Sequence, residues 1–238
     1  MGTQGQAAQH PSPPTAAGVA ALIDHALLKP ATTRDEIDAG CDVALELGTA
    51  SVCVMPCWVE RVAQRLGTGP VRTCTVIGFP HGVHTPGVKR AEAEAALDAG
   101  ATELDMVVNR SFVKSALWDE VRADLLSVIE PARDAGAKTK IIFENCELTD
   151  GEKRRLCELS AECGADWVKT STGFGSGGAT QADVRLMREA SPARVQIKAS
   201  GGIRTLDELL RFAELGCTRI GASGSRALVD EARARFGR

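Results

Sequence analysis

The sequence predicts a single closed (β/α)8 barrel that is preceded by a flexible N-terminal tail. Short apolar runs of strand length alternate with amphipathic stretches of helical length along the chain, which is the pattern of repeated βα units. Eight such units fall within about 220 residues, and about 250 residues are typical of this barrel. An open doubly wound sheet is the alternative. It would usually show a glycine-rich dinucleotide loop after the first strand, where this chain reads His25-Ala-Leu-Leu-Lys-Pro30.

The first 18 residues lack an apolar period. They are rich in Gln, Ala, Pro, Ser and Thr, a composition typical of a segment that cannot bury enough apolar surface to fold. We therefore expect a disordered tail over residues 1–18 and one barrel domain over residues 19–238, because no internal boundary is visible.

The elements of the barrel follow in order. The strand candidates are Leu22–Leu28, Ala50–Met55, Val71–Phe79, Glu103–Asn109, Thr139–Asn145, Trp167–Ser171, Val195–Ala199 and Arg219–Ser223. The helix candidates are Arg34–Leu47, Cys57–Leu66, Pro86–Ala99, Trp118–Ala135, Asp150–Cys163, Gln181–Glu189, Leu206–Leu215 and Arg226–Phe236. Three helices begin with a capping box, Thr-x-x-Glu, whose side chains satisfy exposed backbone N–H groups. Glycines just after several helices fit left-handed C-caps.

Composition excludes several classes of function. Hydrophobic residues make up 44% and charged residues 25%, and the net charge is −3 with both signs interspersed, so we expect neither wholesale disorder nor a nucleic-acid partner. No stretch approaches the roughly 18–20 uninterrupted apolar residues of a membrane helix, and no secretory leader is visible. We therefore expect a cytoplasmic protein with no membrane partner.

The eight cysteines are scattered through apolar patterns, which in a cytosolic chain of this length indicates reduced thiols. A zinc site is the alternative for Cys53-Val-Met-Pro-Cys57 and His81-Gly-Val-His84. Neither stretch has the CxxC or HExxH spacing of a zinc site. We expect no metal and no other cofactor.

Strand parity predicts which side chains meet inside the barrel, because successive residues of a strand point to opposite faces. Apolar residues occupy the helix-facing positions of the second, fourth and seventh strands, and the sixth alternates around Lys169. The side chains left facing the interior include Cys53, Glu103, Asp105, Lys169, Gln196, Lys198 and Ser200, with Glu144 at the end of the fifth strand. Mutual salt bridges, or a Lys169 side chain that extends to solvent near the strand end, are the structural alternatives.

Lys169 and Lys198 lie on adjacent predicted strands, about 5 Å apart by the spacing of a sheet. Each positive charge disfavours protonation of the other, so one amine should be partly neutral. A lysine must lose roughly 3 pKa units, about 4 kcal/mol, to act as a nucleophile near pH 7. A nearby carboxylate such as Asp105 can then relay protons. The pattern predicts Schiff-base chemistry on a carbonyl substrate, followed by making or breaking a carbon–carbon bond through an enamine.

Glycine-rich loops follow the last three strands. They read Thr172-Gly-Phe-Gly-Ser-Gly-Gly178, Ser200-Gly-Gly-Ile203 and Gly221-Ala-Ser-Gly224. Glycines let backbone N–H groups approach an anion closely, and barrels often bind phosphate after strands seven and eight. Any one loop could instead be a tight turn, but the three together favour a phosphate site.

Six motifs spread from about residue 20 to residue 230 belong together. They are Ile23-Asp-His-Ala-Leu-Leu-Lys-Pro30, Val76-Ile-Gly-Phe-Pro80, Glu103-Leu-Asp-Met-Val107, Val168-Lys-Thr-Ser-Thr-Gly-Phe-Gly175, Lys198-Ala-Ser-Gly-Gly-Ile-Arg-Thr205 and Arg219-Ile-Gly-Ala-Ser223. This set resembles the 2-deoxyribose-5-phosphate aldolases, a family of class I aldolases, and the two lysine motifs are the most specific. The resemblance implies reversible cleavage of 2-deoxy-D-ribose 5-phosphate into acetaldehyde and D-glyceraldehyde 3-phosphate, without a metal.

The resemblance also implies roles for individual residues. Lys169 matches the Schiff-base lysine, Lys198 the neighbour that lowers its pKa, and Asp105 a proton donor and acceptor that acts through water. The implied substrate-binding and phosphate-binding positions are Cys53, Thr172, Gly173, Gly201, Gly202 and Ser223, with Cys53 near the acetaldehyde site. The expected partners are small sugar phosphates and aldehydes, and we expect a homo-oligomer, either a dimer or a tetramer.

The chain departs from the family pattern at a few positions. Ala26 and Asn145 stand where threonine is common, Gly224 stands where a second serine is common, and the chain has no tyrosine for the role given to a C-terminal tyrosine in some members. These differences bear on substrate affinity and proton transfer. Three other functions stay open: a zinc-dependent aldolase, a barrel that only binds sugar phosphates, and a Schiff-base aldolase for a ketose phosphate.

Overall fold

The chain forms a closed barrel of eight parallel strands in a computed structural model that describes residues 15–237. Each strand pairs with its neighbours in chain order, and the eighth closes on the first. The strands are β1 Ile23–Leu27, β2 Ser51–Val54, β3 Arg72–Ile77, β4 Glu103–Val107, β5 Lys138–Ile142, β6 Trp167–Lys169, β7 Gln196–Ser200 and β8 Cys217–Ala222. The predicted (β/α)8 barrel is confirmed.

Helices connect the strands and cover the barrel. They are α1 Ala16–Ala20, α2 Arg34–Leu47, α3 Val59–Leu66, α4 Pro86–Asp98, α5 Arg110–Lys114, α6 Trp118–Asp134, α7 Asp150–Cys163, α8 Gln181–Ala190, α9 Leu206–Glu214 and α10 Ser225–Phe236, with 3-10 turns at Pro56–Trp58 and Asn145–Glu147. All three predicted capping boxes form, at the starts of α2, α7 and α9. Gly48 and Gly164 adopt the left-handed conformation at the ends of α2 and α7, as expected of glycine C-caps.

The predicted tail was too long by a few residues. Thr15 caps α1 by accepting a hydrogen bond from the Gly18 N–H, and the helix buries Ala16, Val19 and Ala20 against α10. Small apolar side chains on five residues leave no readable helical period, so this docking depends on the tertiary partner. Residues 1–14 lie outside the described part of the chain, and the prediction for them remains untested.

The ends of the predicted elements differ from the observed ends by at most three residues, and one helix besides α1 was missed. β6 ends at Lys169 rather than at Ser171, although the Thr170 N–H still donates to the Lys198 carbonyl oxygen on β7. The missed helix, α5, is capped by the Asn109 side chain, which accepts hydrogen bonds from the N–H groups of Ser111 and Phe112. Five residues are too few to show an amphipathic period.

The apolar core lies between the strands and the helices, and the barrel interior is polar. Val52, Leu104, Ile141, Val168 and Ile197 are fully buried on the helix side of their strands. The alternate residues of the same strands point inward, so the strand parity that builds the core also gathers charged groups at the barrel axis. Within residues 15–237, no helix is long and apolar enough to span a bilayer.

Candidate active site

A cluster of charged side chains, all buried except the partly buried Arg219, lies in the barrel interior. Its members are Asp24, Glu103, Asp105, Lys140, Lys169, Lys198 and Arg219. Lys169 and Lys198 are direct partners in the register of β6 and β7, and both ammonium groups are almost fully buried. The predicted lysine pair is therefore present on neighbouring strands.

Asp105 is the carboxylate that joins three lysines. Its Oδ2 accepts hydrogen bonds from Lys169 Nζ and Lys198 Nζ, each at 2.7 Å. Its Oδ1 accepts from Lys140 Nζ at 2.8 Å and from the Cys74 thiol at 3.3 Å. Burial alone would raise the pKa of Asp105, but the three ammonium groups outweigh it and hold that pKa well below its usual range. Asp105 is thus a charged acceptor positioned between the two predicted site lysines.

Lys198 has more carboxylate partners than Lys169. Lys198 Nζ lies 2.5 Å from Asp24 Oδ2 and 2.7 Å from Asp105 Oδ2, whereas Lys169 Nζ pairs with Asp105 alone among the described acids. Burial opposes the charge of Lys198, but Asp105 and Asp24 outweigh it and raise the pKa of Lys198 above its usual range. Lys198 is therefore a stable cation. The expectation that the other amine is partly neutral remains a prediction.

Sequence reasoning missed three members of the cluster, which are Asp24, Lys140 and Arg219. Asp24 accepts from Arg219 at 2.6 Å, and Glu103 accepts from both Arg219, at 2.7 and 2.9 Å, and Lys140, at 2.6 Å. Parity would have found Lys140, since its neighbour Ile141 and also Phe143 belong to the helix-facing core. Each of these three side chains thus forms at least one ion pair within the cluster.

A cavity of about 540 Å³ opens above this cluster at the C-terminal ends of the strands. The predicted residues that line it are Cys53, Lys169, Thr172, Gly173, Lys198, Gly201, Gly202 and Ser223. Asp105 is fully buried and lies beneath the two lysines rather than in the wall. Ala26 and Gly224, two positions where the chain departs from the family pattern, also line the cavity. Asn145, the third such position, lies outside the cavity wall and donates to Met187 Sδ.

The glycine-rich loops form the far wall of the cavity. Gly173, Gly201 and Gly202 have φ angles of 84°, 87° and 83°, which other residues adopt only with strain. A Cβ atom on Gly201 would lie 3.0 Å from Gly178 Cα, so the two loops pack backbone against backbone. Within residues 15–237, the N–H groups of Gly173, Gly201 and Gly202 have no protein acceptor. Unpaired N–H groups in a concave backbone are suited to an anion.

Glu144 does not join the charged cluster, although parity suggested that it shares the interior with the lysines. The residue turns left-handed, with φ of 60°, and its carboxylate contacts the loop after β6 at Thr172. A change of backbone hand redirects the side chain, and strand parity cannot anticipate it.

Cys53, Cys74 and Asp105 are the described residues whose ligand atoms cluster as a metal site would, within 4.8 Å of one another. Lys140 Nζ lies 3.5 Å from Cys74 Sγ, and both oxygens of Asp105 already accept from ammonium groups. Three fixed positive charges oppose a further cation. Cys53 is buried and Cys57 is exposed, so the zinc alternative gains no support from that pair.

Comparison with known proteins gives a consistent result. Residues 19–230 match the model of the DeoC/LacD family aldolases. The deoxyribose-phosphate aldolase of Rhodopirellula baltica is 49% identical and covers 92% of this chain and 91% of its own length. The deoxyribose-phosphate aldolase of Lysinibacillus sphaericus is 46% identical over 89% of this chain and 94% of its own length. The solved tetrameric deoxyribose phosphate aldolase of Aeropyrum pernix superposes with a TM-score of 0.85 at 30% identity, over 93% of this chain and 94% of that one.

Proposed function

This chain belongs to the DeoC/LacD family of aldolases, and we propose that it reversibly cleaves 2-deoxy-D-ribose 5-phosphate into D-glyceraldehyde 3-phosphate and acetaldehyde through a Schiff base on Lys169. The observation that carries the proposal is the pair of lysines that share Asp105 Oδ2 at 2.7 Å on the floor of a cavity. The deoxyribose-phosphate aldolases to which the chain is similar support the same substrate.

The contacts favour Lys169 as the nucleophile. Deprotonation of Lys169 breaks its one ion pair, whereas deprotonation of Lys198 breaks two, one of them with the fully buried Asp24. The cation on Lys198 also disfavours a second ammonium group beside it. Lys169 is therefore the amine that loses its proton at lower cost, and Lys198 remains the positive neighbour.

In the proposed reaction, the Lys169 amine attacks C1 of the open-chain sugar, and loss of water gives an iminium ion. Asp105, acting through a water molecule, accepts the proton of the C3 hydroxyl group as the C2–C3 bond breaks. D-glyceraldehyde 3-phosphate leaves, and the electron pair of the broken bond forms an enamine on Lys169. Protonation at C2 and hydrolysis of the imine release acetaldehyde and regenerate the free amine.

The phosphate group occupies the loop end of the cavity in this proposal. Gly173, Gly201 and Gly202 donate backbone N–H groups, and Thr172 and Ser223 belong to the same wall. A charge-assisted hydrogen bond is about twice as strong as a neutral one. The anion would then fix the sugar with its carbonyl carbon toward Lys169.

Reduction with borohydride tests the mechanism. In the presence of acetaldehyde, borohydride should leave a two-carbon adduct on the peptide that contains Lys169, and it should inactivate the enzyme. Lys169→Leu should abolish turnover but still bind 2-deoxyribose 5-phosphate. An unmodified Lys169 or full activity of the variant would refute the Schiff base. Activity that EDTA removes would instead support a zinc-dependent aldolase.

Product analysis separates the remaining alternatives. Release of acetaldehyde supports the proposed substrate, release of dihydroxyacetone supports an aldolase for a ketose phosphate, and binding without turnover supports a sugar-phosphate receptor. We also propose that the chain forms a homo-oligomer, since the A. pernix relative is described as tetrameric. Light scattering on the purified protein tests this, and a monomer would contradict it.

A further inference from the structure

The backbone at Glu144 is unusual for its residue type. Glu144 and Ala116 are the two non-glycine residues with left-handed φ angles between residues 15 and 237, at 60° and 55°. This conformation is unfavourable for residues with a Cβ and persists where the surrounding structure holds it. Glu144 follows β5 directly, and its carboxylate is buried. An unfavourable backbone at a buried acid suggests that the side chain is needed where it lies.

The carboxylate of Glu144 holds the loop that follows β6. It accepts hydrogen bonds from the Thr172 N–H, at 3.3 and 3.4 Å, and from the Thr172 hydroxyl group. The Thr172 hydroxyl oxygen in turn accepts from the Phe174 N–H at 2.9 Å. Gly175 also packs on this carboxylate, because a Cβ atom there would lie 2.9 Å from Glu144 Cδ. Glu144 thus fixes the backbone on both sides of Gly173.

Three residues of this loop line the cavity, Thr172, Gly173 and Phe174, and among them Gly173 alone keeps an N–H group without a protein acceptor in the described chain. The N–H groups of Thr172 and Phe174 are directed to Glu144 and to the Thr172 hydroxyl group. Gly173, between them, has its N–H without a protein acceptor in the described chain and lines the cavity. Thr172 has its hydroxyl group committed to Glu144 as well. The loop therefore presents Gly173, rather than Thr172, as the donor to an anion.

We propose that Glu144 is a positioning residue that sets the affinity of the enzyme for the phosphate group of its substrate, by holding the loop at residues 172–175 so that Gly173 N–H faces the anion. The inference rests on the proposed function for the identity of the substrate. It assigns Glu144 a role at the phosphate end of the cavity and no part in proton transfer at Lys169. Arg110, 3.7 Å from the carboxylate, balances its charge.

Glu144→Gly tests this directly, because glycine removes the carboxylate and also relieves the left-handed backbone, so the variant should fold. The expected result is that KM for 2-deoxyribose 5-phosphate rises about 10-fold to 100-fold, the loss of one hydrogen bond to a charged group. The ratio of kcat/KM for the phosphorylated sugar to that for phosphate-free 2-deoxyribose should fall by a similar factor. Glu144→Gln, which retains an acceptor oxygen, should restore most of this ratio.

Two further variants control the test. Ala116→Gly relieves the other left-handed residue, which is exposed and outside the cavity, and should leave the ratio unchanged. Gly175→Ala pushes on the carboxylate from the loop side and should lower the ratio as Glu144→Gly does. Equal losses on both sugars, a fall in kcat without a rise in KM, or the same change in Ala116→Gly would each overturn the inference.

Binding of inorganic phosphate separates this inference from the proposed function. Calorimetry on the wild-type protein should detect phosphate binding, and Glu144→Gly should weaken it about 10-fold or more. If the wild type binds phosphate in this Glu144-dependent way but does not cleave 2-deoxyribose 5-phosphate, the proposed function fails and the inference stands for another phosphorylated substrate. If cleavage occurs and phosphate binding is insensitive to Glu144, the inference fails alone.

Discussion

Replacement of Lys140 by methionine probes the charged cluster without touching the cavity wall. Lys140 is fully buried, and its ammonium group donates to Glu103 at 2.6 Å and to Asp105 at 2.8 Å. Methionine has a similar length and keeps most of the volume, but it leaves both carboxylates short of a donor. The buried ion pairs, rather than the packing, are therefore what the variant removes.

The loss of folding stability that we expect in Lys140→Met follows from two opposing effects. Removing one partner of a buried ion pair typically costs about 3–5 kcal/mol. The cluster, however, holds four basic and three acidic side chains, so loss of Lys140 also removes a surplus positive charge. We therefore expect the lower end of the range, about 3 kcal/mol, which corresponds to a fall in melting temperature of roughly 6–12 °C for a chain of this size.

The same variant changes the protonation of Asp105. Lys140 is the strongest of the three lysines that lower the pKa of Asp105, so its removal should raise that pKa toward the usual value. A carboxylate with a depressed pKa stabilises the fold above its unfolded pKa, about 3.9, and that contribution disappears as pH falls through the folded pKa. In Lys140→Met, both the acid limb of kcat and acid unfolding should move to higher pH.

Lys138→Met is the matched control, because Lys138 lies two residues away on β5 and pairs with Asp166 at the surface. An exposed ion pair contributes about 0–1 kcal/mol, so the control should melt within about 4 °C of the wild type. Thermal unfolding and pH–rate profiles are measured on the wild type, Lys140→Met and Lys138→Met. An unchanged or higher melting temperature in Lys140→Met, or an acid limb that does not move, would refute this account of the cluster.

Two further predictions concern buried ionisable groups outside the cavity. Burial lowers the pKa of His25, which contacts Ser225 Oγ at 2.8 Å, from 6.5 to about 4. Unfolding therefore takes up a proton between those pH values, and the free energy of unfolding should fall by about 3 kcal/mol from pH 6.5 to pH 4. Urea titrations in which His25→Gln loses as much stability over this pH range would contradict this prediction. Lys89 and Asp124 form a fully buried pair at 2.8 Å, so Lys89→Met or Asp124→Asn alone should cost about 3–5 kcal/mol, and a double mutant whose loss in urea denaturation equals the sum of the two would show that they are not coupled.

Strand parity predicted the part of the site that depends on regular structure. Lys169, Lys198 and Asp105 lie on three strands, and their side chains point inward because the neighbouring residues face the helices, so closing the barrel brings them together whatever the loops do. Lys140 obeys the same rule, since Ile141 and Phe143 belong to the helix-facing core, but polar residues at both ends of the predicted fifth strand obscure its alternation. Its partner Asp105 shows the consequence, since the sequence alone assigned that carboxylate two lysines where the structure gives it three.

The parts that parity could not predict depend on backbone geometry and on tertiary docking. The side chain of Glu144 leaves the direction that strand parity predicts because its φ angle is positive. A glutamate at the end of a strand gives no sequence signal of a left-handed turn. Helix α1 forms because Ala16, Val19 and Ala20 meet α10, a contact with no local pattern. The composition of the glycine-rich loops suggested an anion site, whereas the choice of Gly173 as the proposed donor requires the contacts of Thr172.

The charge distribution of the interior gives a physical reason for the order of these parts along the cavity. Arg219 does not line the cavity, and its charge is neutralised by Glu103 and Asp24. Lys169 and Lys198 share Asp105 Oδ2, and Lys198 also pairs with Asp24. With four basic and three acidic side chains, the whole cluster keeps one surplus positive charge beneath the cavity, and this charge attracts an anionic substrate. The proposed phosphate site lies at the loop end of the cavity, where backbone N–H groups would bind an anion without adding a cation that would compete for Asp105.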